Sequence, residues 1–132
     1  MYEYSIKEII KIVDGDTLDV LIDLGFGVTI KQRVRLYGID APESITSDGK
    51  EKKFGLESKE YLRNWLSEKE DLIIKTLKDD KYGRILAKIT SRDNNSCVND
   101  DMIKYGYAWL YKDKSEKKDF DYLIENRNLN SN

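Results

Sequence analysis

The chain has no histidine, one cysteine and one proline among its 132 residues. Each shortage removes a class of chemistry. Without histidine there is no imidazole base, so the usual Ser-His and Cys-His nucleophile pairs are out of reach. With Cys97 as the sole thiol, a zinc centre built from sulfur and imidazole is excluded in practice. One cysteine also forbids an internal disulfide, which suits a reducing compartment. No apolar run approaches the ~20 residues of a membrane-spanning helix. Met1 to Tyr4 lacks the basic and apolar regions of a secretory leader. The expectation is therefore a cytoplasmic protein, in a host cytoplasm if the chain is virally encoded, with secretion after removal of a leader left open. What the chain does have is charge. Lys and Arg number 23 against 25 Asp and Glu, for a net charge of −2. Any metal bound here would meet carboxylate, carbonyl and water oxygens, which favours calcium or magnesium.

Five charged residues stand out, grouped in three short motifs. Asp16 lies in Asp14-Gly15-Asp16-Thr17. Arg35, Asp40 and Glu43 lie in the run from Val34 to Glu43, which holds the only proline, Pro42. Arg84 closes Asp80-Lys81-Tyr82-Gly83-Arg84. Three carboxylates can hold a hard divalent cation and activate a water. Two guanidinium groups can grip a phosphate and absorb the charge of its transition state. Singly, each motif has a plainer reading. Asp-Gly is a common turn dipeptide, Asp40 can close an Asx turn, and a lone arginine is usually a solvated surface group. Arg35 is harder to dismiss, since it lies mid-strand on the face opposite Leu36 and needs an anionic partner or solvent there.

The pattern along the chain predicts three strands in an antiparallel meander. Tyr4, Ile6, Ile10 and Ile12 mark the first, and Leu18, Val20 and Ile22 the second. Val28, Ile30, Gln32, Val34 and Leu36 form the inner face of the third, opposite a basic and aromatic face. Ser44 to Lys53 has no apolar period and reads as a mobile polar loop. Phe54, Ser58, Tyr61, Leu62, Trp65 and Leu66 follow helical spacing over roughly three to four turns. Leu72–Leu77 and Ile85–Thr90 read as two more strands. Asn99 is expected to cap a short helix, with Val98 and Ile103 as a hydrophobic staple and Gly106 as its stop. Ser115–Asn126 is expected as a last helix with Phe120, Leu123 and Ile124 inward. Residues 1–126 would then form one domain, and 127–132 a frayed tail. Five short strands with helices inserted late fit an α+β fold: a five-stranded β-barrel of the oligonucleotide-binding type with about three helices.

In order and spacing the motifs resemble the staphylococcal nuclease-like family, or thermonucleases. The resemblance runs from about Ile10 to Tyr111. It takes in Val13 to Thr17, Arg35-Leu36, Ile39 to Glu43, Phe54-Gly55, Asp80 to Arg84, Val98-Asn99 and Gly106-Tyr107-Ala108. It implies the same barrel. It also implies a calcium ion held by the carboxylates of Asp16 and Asp40 and the backbone carbonyl of Ala41. Glu43 would be the general base or water-positioning group, and Arg35 and Arg84 would bind the scissile phosphate. Tyr82 matches a phosphate-contacting tyrosine beside Lys81, and Tyr111 falls where family members stack an aromatic on a base. The activity implied is calcium-dependent hydrolysis of DNA, with RNA as a second substrate and single strands preferred. The products would carry 3′-phosphate ends, and the enzyme would be a monomer with no membrane partner.

A second reading keeps the barrel and drops the chemistry: a non-catalytic module binding nucleic acid or protein, as in the degenerate repeats of Tudor-staphylococcal-nuclease proteins. Such domains have typically lost catalytic carboxylates or arginines, whereas all five charged residues are present here. Two features depart from the family. The chain is slightly acidic, so phosphate neutralisation must come from local clusters such as Lys31/Arg33/Arg35, Lys50/Lys52/Lys53 and Lys75/Lys78/Lys81/Arg84. The C-terminus lacks the family's Gly-Leu-Trp ending, which puts the docking of the last turn in question.

Overall fold

The computed structural model describes residues 2–79, 83–93, 95–111 and 118–131. Its centre is a closed five-stranded barrel with three helices packed around it. Strands β1 (Tyr2–Asp14), β2 (Thr17–Gly25) and β3 (Val28–Leu36) form the expected antiparallel meander. After the two-residue strand β4 (Ile39–Asp40) and helix α1 (Gly49–Ser67), β5 (Leu72–Asp79) and β6 (Ile85–Ser91) pair antiparallel. Closure needs two further seams. Tyr2–Ser5 of β1 pair antiparallel with Ile73–Thr76 of β5. Val34–Leu36 of β3 pair parallel with Ile85–Ala87 of β6. Helix α2 (Val98–Lys104), the short strand β7 (Trp109–Leu110) and helix α3 (Phe120–Asn130) complete the fold, with β7 paired to β4.

Alternation explains which residues fill the barrel. Leu18, Val20 and Ile22 of β2 point inward with Val34 and Leu36 of β3, Ile74 of β5, and Ala87 and Ile89 of β6, all essentially solvent-free. The alternation on β3 outruns the barrel, however. Val28 and Ile30, expected inside, are exposed, because β6 pairs with β3 only from Val34 onward. The outer half of the β2–β3 hairpin therefore projects past the core, with Phe26 fully exposed at its tip.

Three expectations about helices change. The supposed mobile loop ends at Asp48, whose carboxylate accepts the amides of Lys50 (3.0 Å) and Glu51 (3.2 Å), an N-cap that starts α1 at Gly49. Asn99 is not an N-cap. Cys97 occupies that position without a side-chain bond, and Asn99 lies inside the first turn of α2, buried. The last helix is shifted toward the C-terminus: α3 runs Phe120–Asn130, so residues 127–130, expected as a frayed tail, are helical. Leu123 is buried as expected, but Ile124 faces solvent.

The helical tail docks through polar groups. The side chains of Asn126, Arg127 and Asn130 donate to the carbonyls of Ile103 (3.3 Å), Gly106 (2.9 Å) and Lys104 (2.7 Å). These carbonyls lie at the C-terminal end of α2, where backbone acceptors lack helical partners. Arg127 also pairs with Glu57 of α1 (2.8 Å) and lies over the Tyr107 ring, 4.2 Å from its centroid. The last turn is thus docked by hydrogen bonds and an ion pair, without the Gly-Leu-Trp ending that the resemblance implied.

Candidate active site

The site lies where the β1–β2 turn, the segment after β4 and the start of α1 converge. Two glycines permit that convergence. A Cβ on Gly15 would stand 2.8 Å from the Cβ of Ser58 and 3.0 Å from that of Ala41. A Cβ on Gly55 would stand 2.1 Å from the carbonyl oxygen of Glu43 and 2.6 Å from the amide of Ser44, contacts that backbone cannot yield. Asp14 adds a clasp: its Oδ1 accepts both the amide (3.0 Å) and the hydroxyl of Ser44.

Strand register brings Asp16, Arg35 and Asp40 together. Thr17 pairs with Arg35 across β2 and β3, and the Leu36 amide bonds the Asp16 carbonyl at 2.8 Å. Asp16 is buried. One carboxylate oxygen accepts the Thr17 hydroxyl and the other the Ala41 amide, both at 2.9 Å. The largely buried guanidinium of Arg35 spans both acids, 3.3 Å from Asp16 and 3.7 Å from Asp40. It also lies 5.9 Å from the centroid of the exposed Tyr111 ring. Tyr111 is held there by its amide on the Gly38 carbonyl, 2.8 Å away.

Of the nine residues expected at the site, Asp16, Arg35, Asp40, Ala41 and Tyr111 are thus gathered. Glu43 follows on the same segment, exposed. Arg84 is half-buried, has a polar or electrostatic partner of its own, and immediately precedes β6, whose Leu86 pairs with Arg35. Lys81 and Tyr82 lie outside the described residues.

The electrostatics show where charge is left over. The Asp40 carboxyl is pushed above its ordinary value by burial first and by the neighbouring Asp16 carboxylate next; Arg35 and Lys118 pull the other way without prevailing. Two carboxylates face one guanidinium, so when both are ionised the acid pair carries more negative charge than Arg35 offsets, as a cation seat requires. The carboxylate oxygens, with solvent access on the Asp40 side, suit a hard ion such as calcium, and Ala41 is tied to the pair through its amide on Asp16. They supply only part of its usual six to eight oxygens, so water or phosphate must supply the rest. Among the described residues no group of three or more Asp, Glu, His or Cys side chains is arranged to hold a metal.

Elsewhere the expected basic clusters are partly neutralised. Arg33 is bonded to Asp19 through two contacts, 2.8 and 3.1 Å, and Lys75 pairs with Glu3 at 3.2 Å. Sequence reasoning missed Glu51 and Lys118. The Glu51 carboxylate accepts the Glu43 amide (3.1 Å) and an ion pair from Lys118. The signal was present as Asp48-x-x-Glu51, the spacing of a capping box, but the glutamate reaches to Glu43 instead of the cap.

The sequence has parallels in other proteins. Residues 33–129 match the family model described as staphylococcal nuclease homologue. An uncharacterized protein of Methanocaldococcus jannaschii is 32% identical over 139 residues, covering 89% of this chain and 65% of its own length. An uncharacterized endonuclease of Haemophilus influenzae is 36% identical over 113 residues, 86% of this chain and 56% of its own. A micrococcal nuclease of Shigella flexneri is 32% identical over 112 residues, 80% of this chain and 58% of its own. The chain thus spans little more than half to two-thirds of the length of these curated relatives.

Proposed function

Because the chain belongs to the staphylococcal nuclease homologue family, we propose that it is a calcium-dependent nuclease that hydrolyses phosphodiester bonds of DNA, and of RNA as a second substrate. The observation that carries this reading is the single guanidinium of Arg35 set between two carboxylates, 3.3 and 3.7 Å away, which together outnumber it in charge. Carboxylates at a phosphate site repel the ligand unless a cation intervenes. Calcium held by Asp16, Asp40 and the Ala41 carbonyl would supply positive charge to the phosphate oxygens and lower the barrier to attack by water.

The protein's own groups do the rest. Arg35, fixed by its two acids, presents planar donors that a phosphate can engage in a bidentate grip. Arg84, just before the adjoining strand β6, takes the developing charge near the departing oxygen. A fixed array of donors of this kind is usually the largest catalytic contribution. Glu43 accepts the proton of the attacking water. A carboxylate is a weak base at neutral pH, yet such assistance contributes typically ~10²–10⁴-fold. With no histidine in the chain, Glu43 is the group best placed in sequence and exposure to do it. The Tyr111 ring, exposed beside Arg35, offers a face on which a base can stack, which favours single strands.

Denatured DNA incubated with calcium, and separately with excess chelator, tests the proposal. Fragments bearing 3′-phosphate ends are expected with calcium alone. Fragments with 3′-hydroxyl ends would mean that the strand lies reversed, so that the Glu43 and Arg84 roles must be exchanged or dropped. Calcium-dependent binding without fragments would favour the non-catalytic module.

A further inference from the structure

Glu43 is exposed, so its carboxylate can only be as well placed as the backbone that carries it. That backbone is fixed from two sides. The Glu43 carbonyl rests on Gly55, where no side chain fits. The Glu43 amide donates to Oε2 of Glu51, 3.1 Å away, in the first turn of α1. The same oxygen receives the ammonium of Lys118, one residue before the Asp119 N-cap of α3.

A further acid beside Asp40 and Glu43 ordinarily makes it harder to keep those carboxyls ionised, and Glu51 does push the Asp40 carboxyl upward. Lys118 supplies the compensating charge. Burial opposes its protonated form, but the Glu51 bond and the nearby Asp40 and Glu43 carboxylates outweigh that and raise its value. The Glu51 side chain is only 13% exposed, which marks a structural acceptor rather than a solvated surface acid.

We propose that Glu51 is a positioning residue: it holds the Glu43 backbone against α1, with Lys118 as its counterion, and so sets where the Glu43 carboxylate reaches. The consequence for turnover rests on the nuclease reading, whereas the hold on the Glu43 amide does not. A misplacement of a catalytic group by about 1 Å can cost about a hundredfold in rate, so a single hydrogen bond to this backbone can govern turnover without touching substrate.

The test compares Glu51→Ala with Glu51→Gln. The glutamine keeps an oxygen to accept the amide and guards against a mere folding defect. The first readout is hydrogen exchange at the Glu43 amide, measured by NMR without calcium or nucleic acid. Glu51→Ala should speed it by about tenfold, the loss of one charge-assisted bond, and Glu51→Gln should largely restore protection. The second readout is turnover of single-stranded DNA with calcium. Glu51→Ala should lower kcat by about ten- to a hundredfold with KM little changed, and Glu51→Gln should stay within about fivefold of the parent, since a partly exposed ion pair contributes little. In a Glu43→Gln background, Glu51→Ala should have almost no further effect, as expected of a residue that acts through Glu43.

Unchanged exchange at Glu43 in Glu51→Ala would overturn the proposal, whatever happens to activity. So would an undiminished loss of rate in the Glu43→Gln background, which would place Glu51 in the chemistry itself. A parent protein without nuclease activity would instead refute the proposed function, and the exchange measurement would still decide whether Glu51 holds Glu43.

Discussion

Asn99 joins the barrel to the site, and replacing it should have a large, calculable effect. Its buried carboxamide makes three N–H···O bonds: Oδ1 accepts the Ile89 amide at 3.2 Å, and Nδ2 donates to the carbonyls of Tyr37 (2.9 Å) and Ala87 (3.1 Å); Oδ1 also accepts a weaker bond from the Cys97 thiol at 3.7 Å. It thereby ties α2 to β6 and to the turn after β3 that leads into Asp40. In Asn99→Ala the Ala87 carbonyl keeps the Tyr37 amide as a donor, at 2.8 Å. The Ile89 amide and the Tyr37 carbonyl each lose the Asn99 partner. A buried orphaned group costs about 1–3 kcal/mol, and the Tyr37 carbonyl is only partly buried, so the expected loss is about 2–4 kcal/mol. For a domain of this size that corresponds to a fall in Tm of about 6–12 °C. Thermal and urea unfolding of the calcium-free protein would measure it. Asn99→Asp, which retains an acceptor but turns a carboxylate toward two carbonyls, should be at least as unstable near neutral pH. It should recover partly in acid, because its raised folded-state pKa means that stability is lost as pH rises. A melting point for Asn99→Ala within about 3 °C of the parent would refute the reasoning, since it would mean the three bonds have little net value.

The remaining expectations concern the site. Gly55→Ala should destabilise the protein by about 1–3 kcal/mol or more and lower activity further than the stability loss explains, because the new methyl must displace Glu43 and Ser44; activity at full folding, checked by circular dichroism, decides it. Asp40→Asn should be more stable than the parent near neutral pH in chelator, although inactive. Asp40 is held above its ordinary value, so its charged form lowers stability above the folded pKa, and that penalty fades as pH falls through it. Melting curves with chelator across about pH 4–7 would show the parent gaining on the variant as acid is added. Arg35→Lys should keep the fold but lower turnover by more than about tenfold, because an ammonium cannot span both acids and a phosphate as a planar fork does; parent-like rates would make Arg35 a mere counterion.

Much of this was legible in the sequence, for local reasons. The β1–β3 meander follows from alternation and turn dipeptides, and the segments carrying Asp16, Arg35 and Asp40 are short and contiguous. Their meeting depends on register, with Thr17 opposite Arg35, which a motif resemblance could imply but periodicity alone could not. The failures have physical causes as well. Asparagine is both a favoured helix cap and a good bridge between buried backbone groups, so Asn99 was ambiguous until its burial was known. Val28 and Ile30 carry the right alternation, but where the barrel ends is set by β6, some fifty residues later. Arg127 and Asn130 look like tail residues because polar docking onto helix-end carbonyls leaves no apolar period. Glu51 was hidden because its partner, Lys118, is 67 residues away.

The most direct test of the site is the rate at which parent and Asp40→Ala cleave a single-stranded oligonucleotide in calcium, with the parent repeated in excess chelator. Cleavage by the parent in calcium alone, falling to background in both other reactions, is the predicted result. Asp40→Ala cutting at the parent rate, or the parent cutting undiminished in chelator, would contradict a cation-assisted centre built on Asp16, Arg35 and Asp40.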